Sequence, residues 1–168
     1  MRSLKKYLKK ITRIIWIIQD FIVSVSAVNI YFDEILPGLS LGSQEAVKDR
    51  TQHWTHIITL RENGVKVWVH RPTKHYRIKI NDDDTENIQS EFNGACKWIH
   101  TAIKHSCSRI LIHCHAGVSR SPTIICAYLM KYYKVSVKDA LEFINRRRTV
   151  LPNDGFLKQL EQYSKFHI

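Results

Sequence analysis

Paired cysteines are missing from this chain. Its four cysteines, Cys96, Cys107, Cys114 and Cys126, form no C-x-x-C pair and stand at no zinc-ligand spacing from its nine histidines. No metal site is expected, and the unpaired thiols point to a reducing compartment. Acidic residues are scarce too: fifteen Asp and Glu against twenty-six Lys and Arg leave a formal charge of +11. That surplus favours anionic partners such as phosphoprotein, nucleic acid or acidic lipid, without choosing among them. Repeats, linkers and low-complexity tracts are absent, and 44% apolar with 24% charged residues excludes the disordered, collagenous and polytopic membrane classes. What remains is a chain of 168 residues, sized for one domain that buries its own core.

A long unbroken apolar run is also lacking. Ile14 to Val28 follows Arg2, Lys5, Lys6, Lys9, Lys10 and Arg13 and so imitates a targeting signal, but Gln19 and Asp20 divide it. An Asp at a bilayer centre costs about 2.5 to 3.5 kcal/mol, which disfavours a spanning helix. Val25-Ser26-Ala27 suits signal cleavage. Export would expose the thiols to disulfide capture, however, so the segment is kept in the mature chain. Leu4, Tyr7, Leu8, Ile11, Ile14, Ile15 and Ile18 recur at helical spacing opposite a basic face. Residues 1–24 therefore read as a basic amphipathic helix and 25–168 as the main domain.

Beyond it, Asn29 to Leu36 and Leu39 to Leu41 read as strands split by a Pro37-Gly38 turn, and Ser43 starts a short helix ending near Arg50. His56 to Leu60 and Tyr76 to Ile80 read as strands, and Asn81 to Thr85 as a loop. Glu86 to His105 has helical periodicity, Arg109 to His113 reads as a short buried strand, and Arg120 to Tyr133 as an apolar helix. Ser136 with Asp139 opens a helix ending near Arg148, and Asn153 caps the last one. Strands alternating with helices predict an α/β domain, a central sheet covered on both faces, with its site beyond the carboxyl ends of the strands.

That rule points to His113-Cys114-His115-Ala116-Gly117-Val118-Ser119-Arg120-Ser121, which joins a strand directly to a helix. Such a loop turns successive backbone N–H groups of His115, Ala116, Gly117, Val118 and Ser119 into one concavity at a helix N-terminus, a cradle for a dianionic phosphate. Gly117 permits the backbone this needs. A cysteine in the same cradle is stabilised as thiolate, so Cys114 is the candidate nucleophile. Arg120, six positions on, offers a planar fork for two phosphate oxygens. Ser121 offers a hydroxyl that eases departure of the thiolate. His113 braces the loop, and because neighbouring strand residues point to opposite faces, His113 and His115 do not make a metal site. Cys96, Cys107 and Cys126 read as small buried hydrophobes. The leaving oxygen needs a proton, and Asp82, Asp83 and Asp84 supply three candidate acids on one loop.

HCHAGVSRS resembles the H-C-x-x-G-x-x-R-S/T signature of the protein tyrosine phosphatases, and its A-G-V-S-R-S form resembles their dual-specificity branch. EILPGLSLGS, Glu34 to Ser43, and PNDGFLKQL, Pro152 to Leu160, resemble the opening and closing elements of that branch, so the likeness spans about residues 29 to 166. The resemblance implies a cysteine-phosphatase fold with a central mixed sheet, and hydrolysis of phosphotyrosine, phosphoserine and phosphothreonine through a phosphocysteine without metal or cofactor. It implies Asp82 as the acid, since the family's acid follows an I-x-I strand about thirty positions before the cysteine. It also implies Asn153 as a brace of the phosphate loop. Phosphorylated proteins are the expected partners and an intracellular location, cytoplasmic or nuclear, is expected. Some viral members of the branch carry a similar basic N-terminal helix exchanged between protomers, and a viral origin would open a virion location for this chain. That likeness implies a homodimer through the N-terminal helix in preference to attachment at a membrane surface. Two rival readings stand beside it: an RNA 5′-phosphatase, drawn from the charge and from Arg146-Arg147-Arg148, and a phosphoprotein-binding pseudophosphatase. Nucleic acid is not the expected partner, because a basic run at a helix end is also favoured by the helix dipole.

Overall fold

The structure, a computed structural model, describes residues 31–167. The expected helix over residues 1–24, and the start of the strand expected from Asn29, lie outside the described residues. Five strands follow: β1 (Phe32–Leu36), β2 (Leu39–Gly42), β3 (His56–Arg61), β4 (Lys74–Lys79) and β5 (Ile110–His113). They form one sheet in the order β1-β2-β5-β3-β4. β1 runs antiparallel to β2 across the Pro37-Gly38 turn, and the β2–β5, β5–β3 and β3–β4 pairs are parallel. The sheet is therefore mixed, as expected.

Side-chain alternation sorts the sheet into two faces. Leu39, Leu41, Ile58, Leu60, Ile110 and Ile112 enter the larger core together with α1 (Gln89–Ala102), α2 (Arg120–Tyr133), α3 (Val137–Asn145) and α4 (Asp154–His167). On the other face Ile57 and Leu111 meet Ala46, Val47 and Trp54 in a smaller core. Among the described residues the segment after β2 forms two 3-10 turns, Gln44–Val47, which packs on this face, and Arg50–Gln52, where one short helix is expected. The cause is local. Asp49 accepts from Thr51 N and Thr51 Oγ1, and side-chain bonds of this kind compete with helix continuation.

α1 starts at Gln89, three residues later than the pattern predicts. Glu86 is tied back by Asn81 Nδ2, and Gln159 of α4 stands in for a local cap: it accepts from Gln89 N at 2.8 Å and donates to Glu86 O at 2.8 Å. At α3 the expected start at Ser136 is present, with Asp139 N donating to Ser136 Oγ and Ser136 Oγ to Asp139 Oδ2. No helix among the described residues is long and apolar enough to cross a membrane.

α2 is the packing hub, touching α1, α3, α4 and the sheet. Its residues Arg120 to Met130 are all buried, so the helix that receives the phosphate loop is enclosed along most of its length. Phe92, Phe143 and Phe156 bring α1, α3 and α4 against it. Phe92→Ala should lower unfolding free energy by about 3 to 5 kcal/mol, the usual effect of removing a fully buried aromatic. Denaturant titration should find a lower midpoint with an unchanged slope, and a change below about 1 kcal/mol would contradict this packing.

Candidate active site

The loop from Cys114 to Ser119 leaves the end of β5 and enters α2 at Arg120. Every carbonyl in it accepts a hydrogen bond. Cys114 O meets His113 Nδ1 at 3.1 Å, and His115 O receives Gln44 N at 3.0 Å. Ala116 O and Gly117 O receive the Arg148 guanidinium at 3.1 and 3.2 Å, Val118 O receives Leu151 N at 2.8 Å, and Ser119 O receives Thr123 N and Oγ1. In a trans peptide the C=O and the following N–H point opposite ways, so carbonyls drawn outward leave the N–H groups of residues 115–120 turned inward. Gly117 N–H accordingly donates to Cys114 Sγ at 3.2 Å. Gly117 has φ +75°, and a Cβ there would stand 2.6 Å from Gly42 O, so only glycine fits.

Cys114 is 1% exposed, and Ser121 Oγ donates to its sulfur at 3.3 Å. Arg120, 3% exposed, donates through Nη1 to Glu62 Oε1 at 2.5 Å and to Ile80 O at 3.2 Å. Its Nε makes no hydrogen bond and lies 3.6 Å from Asp82 Oδ2. Asp82 Oδ1 accepts from Ser119 Oγ at 2.6 Å and from Asn153 Nδ2 at 3.1 Å. Of the three candidate acids, Asp82 is the one bonded to the loop, through Ser119. Asp83 caps its own turn at Thr85, which holds its carboxyl below the usual range. Asp84 passes its backbone under Gly155 so closely that a Cβ on Gly155 would stand 2.0 Å from Asp84 O. Asn153 accepts from Phe156 N as the expected cap of α4, and its own N–H donates to Ser119 Oγ.

His113 is fully buried, and burial pushes it down to about 4, so it is neutral near pH 7. Cys96 and Cys126 are buried, with their thiols pushed up, Cys96 to about 12, while Cys107 is exposed, contrary to its reading as a buried hydrophobe. Arg61 Nη1 holds His115 Nδ1 at 2.8 Å and Gln44 Oε1 at 2.7 Å, fixing the loop's second residue. Three contributors escape sequence reasoning: Arg148, Glu62 and Arg61. Arg148 belongs to the basic run read as a solvated helix end, yet its side chain is 13% exposed and Nη1 pairs with Asp33 at 2.9 Å. Their targets lie 17 to 115 residues away, and no local pattern carries that information.

The family model "Dual specificity phosphatase, catalytic domain" matches residues 40–166. The chain belongs to the dual specificity phosphatases. It is 29% identical over 164 residues to mouse dual specificity protein phosphatase 13B, covering 92% of this chain and 80% of that one. It is 42% identical over 137 residues to rat dual specificity protein phosphatase 5, covering 77% of this chain and 35% of the rat protein. Among solved structures, human tyrosine phosphatase-like serine/threonine/tyrosine-interacting protein superposes with TM-score 0.76 at 30% identity, covering 82% of this chain and 98% of that one. This dual specificity phosphatase chain thus spans most of the mouse relative and about a third of the rat one.

Two outcomes follow for this phosphatase. Gly155→Ala should displace the Asp82 loop and slow turnover up to about 10²-fold on aryl phosphates with poor leaving groups, while sparing good ones. Equal loss on both would show that the displacement reaches the Cys114 loop instead. Because His113 is pushed from 6.5 to about 4, the unfolded chain binds the extra proton first as pH falls. Stability at this group is full above pH 6.5 and should decline as pH drops toward 4, read by denaturant midpoints across that window.

Proposed function

We propose that this chain hydrolyses phosphotyrosine, phosphoserine and phosphothreonine in proteins, with Cys114 as nucleophile, Arg120 as phosphate clamp and Asp82 as acid. The observation that carries it is the Cys114 sulfur, held by Gly117 N–H and Ser121 Oγ in the loop that enters α2 at Arg120, whose Nε makes no hydrogen bond. Sulfur attacks phosphorus as the P–O ester bond breaks, and Asp82, acting as general acid, gives a proton to the leaving oxygen. Arg120 Nε and the inward N–H groups of residues 115–120 take the equatorial oxygens. Glu62 holds the other end of the guanidinium, so the fork is aimed before substrate arrives. Water then attacks phosphorus, Asp82 recovers a proton from it, and the S–P bond breaks with Ser121 Oγ donating to the departing thiolate.

The RNA 5′-phosphatase reading loses support from the placement of Arg148, which is spent on Asp33 and on loop carbonyls. The pseudophosphatase reading draws on the interacting protein that shares the fold. Against it, Cys114, Arg120 and Asp82 are all present and in reach of one loop. A reducing intracellular compartment would keep Cys114 competent. A homodimer through residues 1–24 is part of the same proposal, favoured by their apolar stripe and tested by light scattering on full-length and truncated chains.

Turnover of a generic aryl phosphate tests the reading directly. Cys114→Ser should leave under 1% of wild-type activity, a loss above ~2.7 kcal/mol, while still capturing phosphoprotein, since the N–H cradle survives. Arg120→Lys should also fail because a point charge cannot replace the fork. Asp82→Asn should slow release of poor leaving groups by about 10² to 10⁴, and Asp83→Asn and Asp84→Asn far less. Wild-type protein inert toward aryl phosphate and phosphopeptide alike would sink the proposal.

A further inference from the structure

On the face of the sheet opposite the α-helices, a line of polar side chains runs from the edge strand to the catalytic loop. Arg77 Nε lies 3.3 Å from His75 Nδ1, and His75 Nε2 lies 2.8 Å from Thr59 Oγ1. Thr59 Oγ1 lies 2.7 Å from His113 Nε2, and His113 Nδ1 3.1 Å from Cys114 O. The register explains the line: Thr59 is paired with Arg77 of β4 on one side and His113 of β5 on the other, with His75 two residues back on the same face. The nearby charged or titratable groups are Arg77 beside His75, and Arg61 and His75 beside His113.

The direction of every proton in this line is forced. Burial pushes both imidazoles down to about 4, so each is neutral near pH 7 and carries a single N–H. A carbonyl only accepts, so His113 Nδ1 carries its proton and Nε2 must accept. Thr59 therefore donates to His113 and has only acceptor capacity left for His75. His75 must then carry its proton on Nε2, which leaves Nδ1 bare to accept from Arg77. The line ends on a guanidinium, which has donors only, and so no group in it is left with an alternative.

We infer that His75 is a positioning residue for the nucleophile loop, acting through Thr59 to fix the tautomer of His113 and with it the Cys114–His115 peptide. With the Cys114 carbonyl held by His113 Nδ1–H, the His115 N–H of the same planar unit points the other way, into the anion cradle. Were His113 to take the Nε2–H form, two acceptors would face each other at Nδ1 and Cys114 O, and the peptide would turn. The inference rests on Cys114 as the nucleophile, and its test reads Cys114 without turnover.

The full chain is assayed as wild type, Thr59→Val, His75→Leu and His75→Gln, following the pH dependence of Cys114 alkylation by iodoacetamide and kcat/KM on an aryl phosphate. Thr59→Val and His75→Leu should both raise the alkylation midpoint and reduce kcat/KM roughly tenfold or more, the scale of a misaligned reacting group. His75→Gln, whose amide N–H replaces Nε2–H, should restore the wild-type midpoint. An unchanged midpoint in Thr59→Val and His75→Leu, or a Gln variant as impaired as the Leu variant, overturns the relay. Nitrogen-15 NMR of wild-type His113 decides independently of whether the variants fold: protonated Nδ1 supports it and protonated Nε2 refutes it. Failure of wild-type turnover alone, with that NMR signature present, would count against the proposed activity and leave the relay standing.

Discussion

A sulfur that is 1% exposed and destined to carry negative charge is tolerated only where donors are aimed at it and acceptors are turned away. This chain meets that constraint by finding an external partner for each carbonyl from Cys114 to Ser119. Those partners come from the end of β5, from the 3-10 turn after β2, from the turn after α3, from the segment before α4 and from α2 itself. Five parts of the fold are thus committed to orienting six peptide units. The large core serves the same end, because α2, which receives the loop, is gripped by α1, α3 and α4.

The acid is held by a separate apparatus. Asp82 follows β4 and is positioned by Ser119 and Asn153, while its neighbour Asp84 is pressed against the first turn of α4 at Gly155. Nucleophile and acid therefore answer to different helices, α2 and α4. Ser119 is where they meet, since its hydroxyl donates to Asp82 and accepts from Asn153 N–H.

What the sequence makes legible follows from where the information lies. Cys114, Gly117, Arg120 and Ser121 sit within one strand-to-helix loop, so chemistry and spacing coincide in a single nonamer, and the structure brings them together as that pattern implies. Asp82, Asp83 and Asp84 are chemically equal in sequence, and only the Thr85 cap and the Gly155 contact separate them in space. Glu62, Thr59, His75 and Arg148 stay hidden because each is an ordinary polar residue until a partner from a distant strand or loop arrives. The late start of α1 has the same origin, its cap being Gln159, 70 residues further on.

Among the described residues β4 closes one side of the sheet, and an edge strand offers unpaired backbone groups to any neighbouring extended chain. Here Lys74, Arg77 and Lys79 stand exposed along it. Two such edges brought side by side would align like charges, which disfavours cross-molecular sheet extension at this border. The basic surplus of the chain thus acts here as a guard on colloidal behaviour.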